Sequence, residues 1–162
     1  MHSNIYQISA KPIDKEDYAS PSTYEDNSDD FADYIGDACE DEERESAIRG
    51  FAELVKDVFT MQEPGVLVYK GKEALKEFKQ KWIDDLRQKV QEMTPDNMFK
   101  EQRLFRLSSA TNKTHLDASS RVDIEKWTGN CAYPLGELFE WADSQLKDGD
   151  KFYIGAVIDY HY

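Results

Sequence analysis

Cysteine and histidine are the side chains in this 162-residue sequence with the clearest capacity for catalysis. Cys131 immediately precedes a predicted helix, a position that favours the nucleophilic thiolate form of cysteine. His115 lies upstream and His161 lies in the last predicted strand, and either imidazole would serve as the general base. This combination indicates a cysteine-dependent hydrolase. Cysteine is also among the most frequently buried residue types, so a packing role for Cys131 is the simpler interpretation.

Acidic side chains are concentrated in one part of the chain. Residues 14–45 contain 14 acids and two bases, a net charge of −12, and the whole chain carries −13. Within this segment, apolar residues at 31, 34, 35 and 38 have helical spacing, and Ser28 or Asp29 can cap a helix. We therefore predict a helix that begins there, breaks near Glu42, and resumes over residues 47–59.

Carboxylates that recur every four residues would form a slowly turning acidic stripe along such a helix. The stripe predicts an inhibitor-like interaction surface over residues 28–45 for a basic protein, with an affinity that falls as salt rises. Alternatively, the acids only solvate the helix, because burial of Phe31 and Ile35 at about 1.5 to 3 kcal/mol each outweighs like-charge repulsion. The predicted partner-binding residues are Asp29, Asp33, Asp37, Glu40, Asp41 and Glu43.

Sequence motifs for metal and cofactor binding are missing. A calcium-binding loop starting at Asp26 would place Phe31 where the tight turn needs glycine. The two cysteines form no CxxC pair, and the sequence contains no Gly-rich phosphate loop, GxSxG or HExxH motif. We therefore predict no metal site and no cofactor, and favour a non-catalytic binding protein over an enzyme.

Length and composition favour one soluble domain. The chain is 40% hydrophobic and 33% charged, and a domain of this length buries about 70% of its unfolded surface. No apolar run approaches the roughly 18 to 20 residues of a membrane span, and the first residues do not resemble a signal peptide. We therefore expect a cytoplasmic protein without membrane attachment. No basic patch is present, so direct nucleic-acid binding is not expected.

Hydrophobic periodicity predicts an α+β fold. Both terminal segments alternate as strands, and the last one is apolar on both faces, which is typical of an inner strand. Further predicted elements are a mobile acidic loop at 14–27, a turn at 61–65, strands at 4–13, 66–70, 103–110 and 151–162, and helices at 72–94 and 134–147. We expect His2 to fray with the terminus. Residues 1–162 are predicted to form a single domain in which a small mixed or antiparallel sheet packs against several helices.

Overall fold

The two terminal strands lie side by side inside a mixed sheet, as predicted. The computed structural model describes residues 2–26, 31–100, 102–113, 120–124 and 131–162. Its strands are β1 His2–Ser9, β2 Tyr34–Ala38, β3 Phe59–Glu63, β4 Val66–Tyr69, β5 Arg121–Ile124, β6 Tyr133–Pro134 and β7 Lys151–His161. Its helices are α1 Ser22–Glu25, α2 Asp41–Leu54, α3 Lys72–Gln91, α4 Arg103–Lys113 and α5 Gly136–Gln145, with a 3₁₀ turn at Lys15–Asp17. The predicted α+β class is confirmed.

Strand β7 organises the sheet because it is paired along both edges. The strand order is β3-β4-β7-β1-β5-β6. On the edge of β7 opposite β1, β4 pairs with the first residues of β7 and β2 pairs with its last residues. The β1–β5 pair is parallel and the other pairs are antiparallel. Strand β7 is therefore an inner strand of the sheet, as its apolar pattern predicts, and most of its residues are buried.

Each face of the sheet is covered by a different part of the chain. Helices α2, α3 and α5 pack on one face, where Phe51, Leu75 and Trp141 are buried. The opposite face is covered by residues from the acidic segment, led by Tyr24, which is 1% exposed. The hydroxyl of Tyr24 donates a 2.8 Å hydrogen bond to Oδ2 of Asp123 in β5. The acidic segment is thus one layer of the fold.

The helix predicted from Ser28 or Asp29 is wrong where the structure describes it, because Tyr34–Ala38 is strand β2. The amide of Asp33 donates to the carbonyl of His161 at 2.7 Å, and the amide of Cys39 donates to the carbonyl of Val157 at 2.8 Å. A helix here would leave the end of β7 without a partner on that edge. Unpaired backbone groups cost more than the modest preference of a short apolar pattern for helix. The acids of this segment therefore do not lie on one helical stripe.

Four other local predictions are wrong. Residues 103–110, predicted as a strand, belong to helix α4, which packs along α3. Phe59, predicted to end a helix, begins strand β3, and this strand takes in most of the predicted turn at 61–65. The turn itself consists of Pro64 and Gly65, where glycine accommodates a φ of +80°. His2 does not fray, because it pairs with His161 at the end of β7.

Helix α3 matches its prediction closely. It spans Lys72–Gln91, and Gly71 precedes it with a φ of +106°. The side chain of Asp148 accepts a hydrogen bond from the amide of Lys72 at 3.3 Å, at the start of the helix. Neither α3 nor another helix in the described part of the chain combines the length and apolar character that a membrane span requires.

Candidate functional site

The junction between β2 and α2 lies between two neighbouring clefts. The chain leaves β2 at Ala38, Cys39 pairs with β7 through its amide, and Glu40 precedes the first turn of α2. The first cleft has a volume of about 690 Å³ and the second about 570 Å³. Ala38, Cys39 and Glu43 line both of them. The clefts therefore adjoin, and we call them together the acidic cleft.

Carboxylates dominate the walls of the acidic cleft. Its two cationic side chains are Lys15 and Arg44, and its six acidic residues are Asp37, Glu40, Asp41, Glu42, Glu43 and Asp159. Apolar surface comes from Tyr18, Ala19 and Ala38, whereas Val157 is only 1% exposed. The cleft thus combines an acidic rim with a partly apolar floor, an arrangement suited to the long stems and charged ends of lysine and arginine.

Both cations of the acidic cleft are already engaged. The ammonium of Lys15 lies 2.8 Å from a carboxylate oxygen of Asp41. The hydrogen bond and the charge attraction between them raise the pKa of Lys15 and lower that of Asp41. Arg44 donates from Nε to the carbonyl of Gly155 at 2.7 Å and from Nη2 to the carbonyl of Ile154 at 2.6 Å. Its guanidinium also lies 5.1 Å from the ring centroid of Tyr18.

Among the described residues, four carboxylates of the acidic cleft have no cation at ion-pair distance. Within the described ranges, no lysine, arginine or histidine forms a salt bridge with these residues, which are Asp37, Glu40, Glu42 and Glu43. Glu40 and Glu42 lie at the start of α2, where the helix dipole stabilises negative charge. The fold itself therefore holds these charges in place, and they are free to interact with a cation from outside.

Cys39 lies at the shared edge of the two clefts and is not a suitable nucleophile. Burial, together with the charges of Glu43 and Asp159, raises the pKa of the Cys39 thiol. The thiol lies 3.9 Å from Oδ1 of Asn4 in β1. A thiol with a raised pKa is protonated and weakly reactive near neutral pH. Cys39 thus serves as part of the cleft surface.

The predicted partner-binding residues divide into three groups. Asp37, Glu40, Asp41 and Glu43 line the acidic cleft. Asp33 does not line the acidic cleft. Its carboxylate instead lies 3.1 Å from Nδ1 of His161. Asp29 lies outside the described residues. The acidic segment therefore contributes a cleft built from the end of β2 and the start of α2.

Two histidine–aspartate pairs lie at the ends of β1, β2 and β7. Nδ1 of His2 is 2.9 Å from Asp159, and Nδ1 of His161 is 3.1 Å from Asp33. The ring of Tyr34 stacks on His161 with 5.3 Å between centroids, and the two histidine rings meet edge to face. These contacts connect the three strands beside the second cleft. His161 is therefore placed to position β2 through Asp33 and Tyr34.

The candidate catalytic residues Cys131 and His161 lie far apart in the sheet. His161 is level with His2 at the start of β1. Cys131 is half-buried and precedes Tyr133, and the register of β6 with β5 places it near the level of Ile124, which is paired with Ile8 of β1. Six residues of strand separate these levels by about 20 Å. At this separation, Cys131 and His161 do not form a cysteine–histidine pair. His115 lies outside the described residues.

The described residues contain no group of three or more histidine, cysteine, aspartate or glutamate side chains arranged to hold a metal ion. The acidic cleft therefore places several carboxylates around a shared space without bringing them together as ligands of one ion.

Comparison with known proteins gives no relative for this arrangement. Protein-family models, curated proteins and solved structures yield no match to the chain.

Proposed function

We propose that this protein is a non-catalytic binding protein that accepts a basic segment of a partner protein in the acidic cleft. One observation carries the proposal: four carboxylates line two adjoining clefts while both cations of the clefts are bound within the fold. Lysine or arginine side chains of the partner would lay their stems over Tyr18 and Ala38 and place their charges beside Glu40 and Glu43.

The dimensions of the acidic cleft favour a peptide segment over a small ion. Its two parts, at about 690 and 570 Å³, each lie within the range of about 300 to 1,000 Å³ that is typical of ligand sites. Two adjoining spaces of this size admit neighbouring side chains of an extended segment. The partner is therefore expected to present at least two basic residues close together.

Charge in the acidic cleft should determine the rate and selectivity of binding more than its final strength. An exposed ion pair contributes only about 0 to 1 kcal/mol, and the rim carboxylates are exposed. The summed field of these acids accelerates encounter with a basic surface, and salt screens this field. The partly apolar floor and the stems of the bound side chains are expected to supply most of the affinity.

The test compares a cleft variant with a matched control. The cleft variant carries Asp37→Asn, Glu40→Gln, Glu42→Gln and Glu43→Gln, the four carboxylates without an ion-pair partner among the described residues. The control variant carries the same change in net charge on exposed acids outside the cleft, through Glu53→Gln, Asp57→Asn, Glu63→Gln and Glu140→Gln. Pull-down from lysate identifies a partner, and stopped-flow or surface measurements with a lysine-rich peptide from that partner give the rate constants.

We expect wild type and control variant to bind a basic protein with association rates that fall about tenfold or more between low and moderate salt. The cleft variant should lose most of this rate. Equal binding by the cleft and control variants would overturn the assignment to the acidic cleft. Binding of a partner without basic residues would overturn its proposed chemistry.

A further inference from the structure

Exposed apolar side chains are concentrated on the arm, which we define as α3, α4 and the described residues that connect them. Within the described residues eight large apolar side chains are exposed, and five of these belong to the arm. Phe99 is 82% exposed and Phe105 is 68% exposed. The other three are Ile83, Val90 and Leu104. The largest exposed apolar patch of a protein is often functional, so the arm is a candidate interface.

The arm exposes these residues because only the beginning of α3 packs against the body of the protein. Leu75 is buried, and Phe78 stacks on Phe139 of α5 with 5.1 Å between ring centroids. Further along the helix, Ile83 and Val90 are 44% and 53% exposed although they continue the same apolar pattern. Helix α4 packs along α3 and leaves them exposed. The apolar residues in the second half of α3 therefore resemble those of a buried helix face, but α4 does not cover them.

We propose that the arm is the interface through which two copies of this chain associate as a symmetric dimer. The exposed apolar area of the arm is large enough for contact with a second copy. At about 200 Å² for a phenylalanine side chain, Phe99 and Phe105 expose about 300 Å². With the three aliphatic residues, the exposed apolar area is about 500 Å² on one copy and about 1,000 Å² on two, which reaches the lower limit for a specific interface.

Charge opposes association through the arms less than association through the acidic segments. Residues 72–113 contain ten bases and seven acids, a net charge of +3, whereas residues 14–45 carry −12. Contact through the acidic segments would place two strongly like-charged surfaces together, and contact through the arms avoids this repulsion. Alternating lysines and acids along α3 also allow each charged residue to meet an opposite charge on the second copy.

The test is sedimentation velocity of the full chain from about 1 to about 200 µM. The arm variant carries Phe99→Ser and Phe105→Ser, and a second variant carries Ile83→Ser and Val90→Ser. The control replaces two exposed apolar residues outside the arm, through Met61→Ser and Tyr162→Ser. Circular dichroism verifies that each variant is folded. Co-sedimentation with vesicles of anionic phospholipid examines the competing occupant, since Lys100 and Arg106 are exposed beside the two phenylalanines.

We expect wild type and control to form a dimer that plateaus at two copies, with a dissociation constant raised at least about 30-fold in both arm variants. Moderate salt should preserve this dimer, in contrast to partner binding in the acidic cleft, so each proposal can fail without the other. A monomer throughout the concentration range overturns the dimer, and so does association that the arm variants leave unchanged. Binding of a monomer to the vesicles would show that the arm contacts a lipid surface and would overturn the proposed dimer.

Discussion

Replacement of Gln7 tests how the acidic segment is held on the sheet. Gln7 is the residue at which the register between β1 and β7 shifts. Its Oε1 accepts hydrogen bonds from the amides of Ala19 and Ala156, both at 3.0 Å. Its Nε2 donates to the carbonyl of Asp17 at 3.1 Å. One side chain therefore connects the segment that carries Lys15 and Tyr18 to strand β7.

The expected loss of stability for Gln7→Leu follows from these three bonds. Ala156 is 3% exposed, and a buried amide that loses its acceptor costs about 1 to 3 kcal/mol. The bonds to Ala19 and Asp17 lie nearer the surface, where loss of a hydrogen bond costs about 0.5 to 1.5 kcal/mol. Because burial of the apolar leucine side chain restores part of the lost free energy of unfolding, we expect a total loss of about 2 to 4 kcal/mol. Gln7→Glu keeps both bonds accepted by Oε1 and should lose only about 1 kcal/mol.

Urea denaturation monitored by tryptophan fluorescence measures these losses, with free energies of unfolding extrapolated to water. Gln62→Leu serves as the control, because Gln62 is exposed in β3 and should change stability by less than about 0.5 kcal/mol. A loss below about 1 kcal/mol for Gln7→Leu would refute the bridging role. Equal losses for the leucine and glutamate variants would refute the assignment to the Oε1 bonds. A weakened acidic cleft in Gln7→Leu should accompany the loss, since the first cleft contains Ala19.

Three further predictions test individual groups. Burial raises the pKa of the Asp123 carboxyl above its usual 3.8. The unfolded chain therefore releases the Asp123 proton at a lower pH than the folded protein does, and wild type loses stability as pH rises through that range. Asp123→Asn should gain stability relative to wild type between pH 4 and pH 7 in urea titrations, and a stability difference that does not change with pH would contradict this. In a Cys131→Ser background, Cys39 should react with iodoacetamide more slowly than free cysteine at pH 8, and an equal or faster rate would show that its environment does not suppress the thiolate. Gly36→Ala should destabilise the protein by about 1 to 3 kcal/mol in thermal or urea unfolding. The reason is that a Cβ at this position would lie 2.9 Å from Oδ2 of Asp159 and 3.2 Å from the backbone carbonyl oxygen of Asp159. A neutral effect would show that β2 moves freely away from β7.

Elements with a long pattern of their own could be predicted from the sequence. Helix α3 repeats its apolar residues over more than five turns, and β7 alternates over eleven residues. Their neighbours do not need to be known, because the pattern is longer than any accidental match. The position of β7 inside the sheet also follows from its sequence, since Tyr153 and Val157 make its second face apolar.

Shorter segments could not be predicted, because their neighbours decide their structure. The apolar residues from Phe31 to Ala38 have the spacing of a helix, yet the unpaired end of β7 binds this segment as a strand. Helix α4 contains two serines and a β-branched threonine after "RLFRL", which weakens its helix propensity. Packing of α4 along α3 supplies the stability that this local sequence lacks.

The acids of the candidate site could be identified from the sequence, but the cleft could not. Charge density alone singles out Asp37, Glu40, Asp41 and Glu43. The remaining walls include Asn4 and Asp159, which pair between β1 and β7, and Tyr18, whose segment is held by hydrogen bonds to Gln7. No spacing in the sequence connects these segments. Arg44 is equally hidden, because only the structure shows that its charge is bound to two carbonyls of β7.

The acidic segment is stable on the sheet without a partner, and this determines how a partner can act. Tyr24 is fully buried and Phe31 packs edge to face on Tyr160, and each such side chain contributes about 1.5 to 3 kcal/mol. Like-charge pairs among exposed acids cost only about 0.2 to 0.5 kcal/mol each. The acids are therefore held in position before binding, and a partner need not spend binding energy on folding this segment. Binding in the acidic cleft should consequently be fast and salt-sensitive, whereas association through the apolar arm should persist when salt screens the charges.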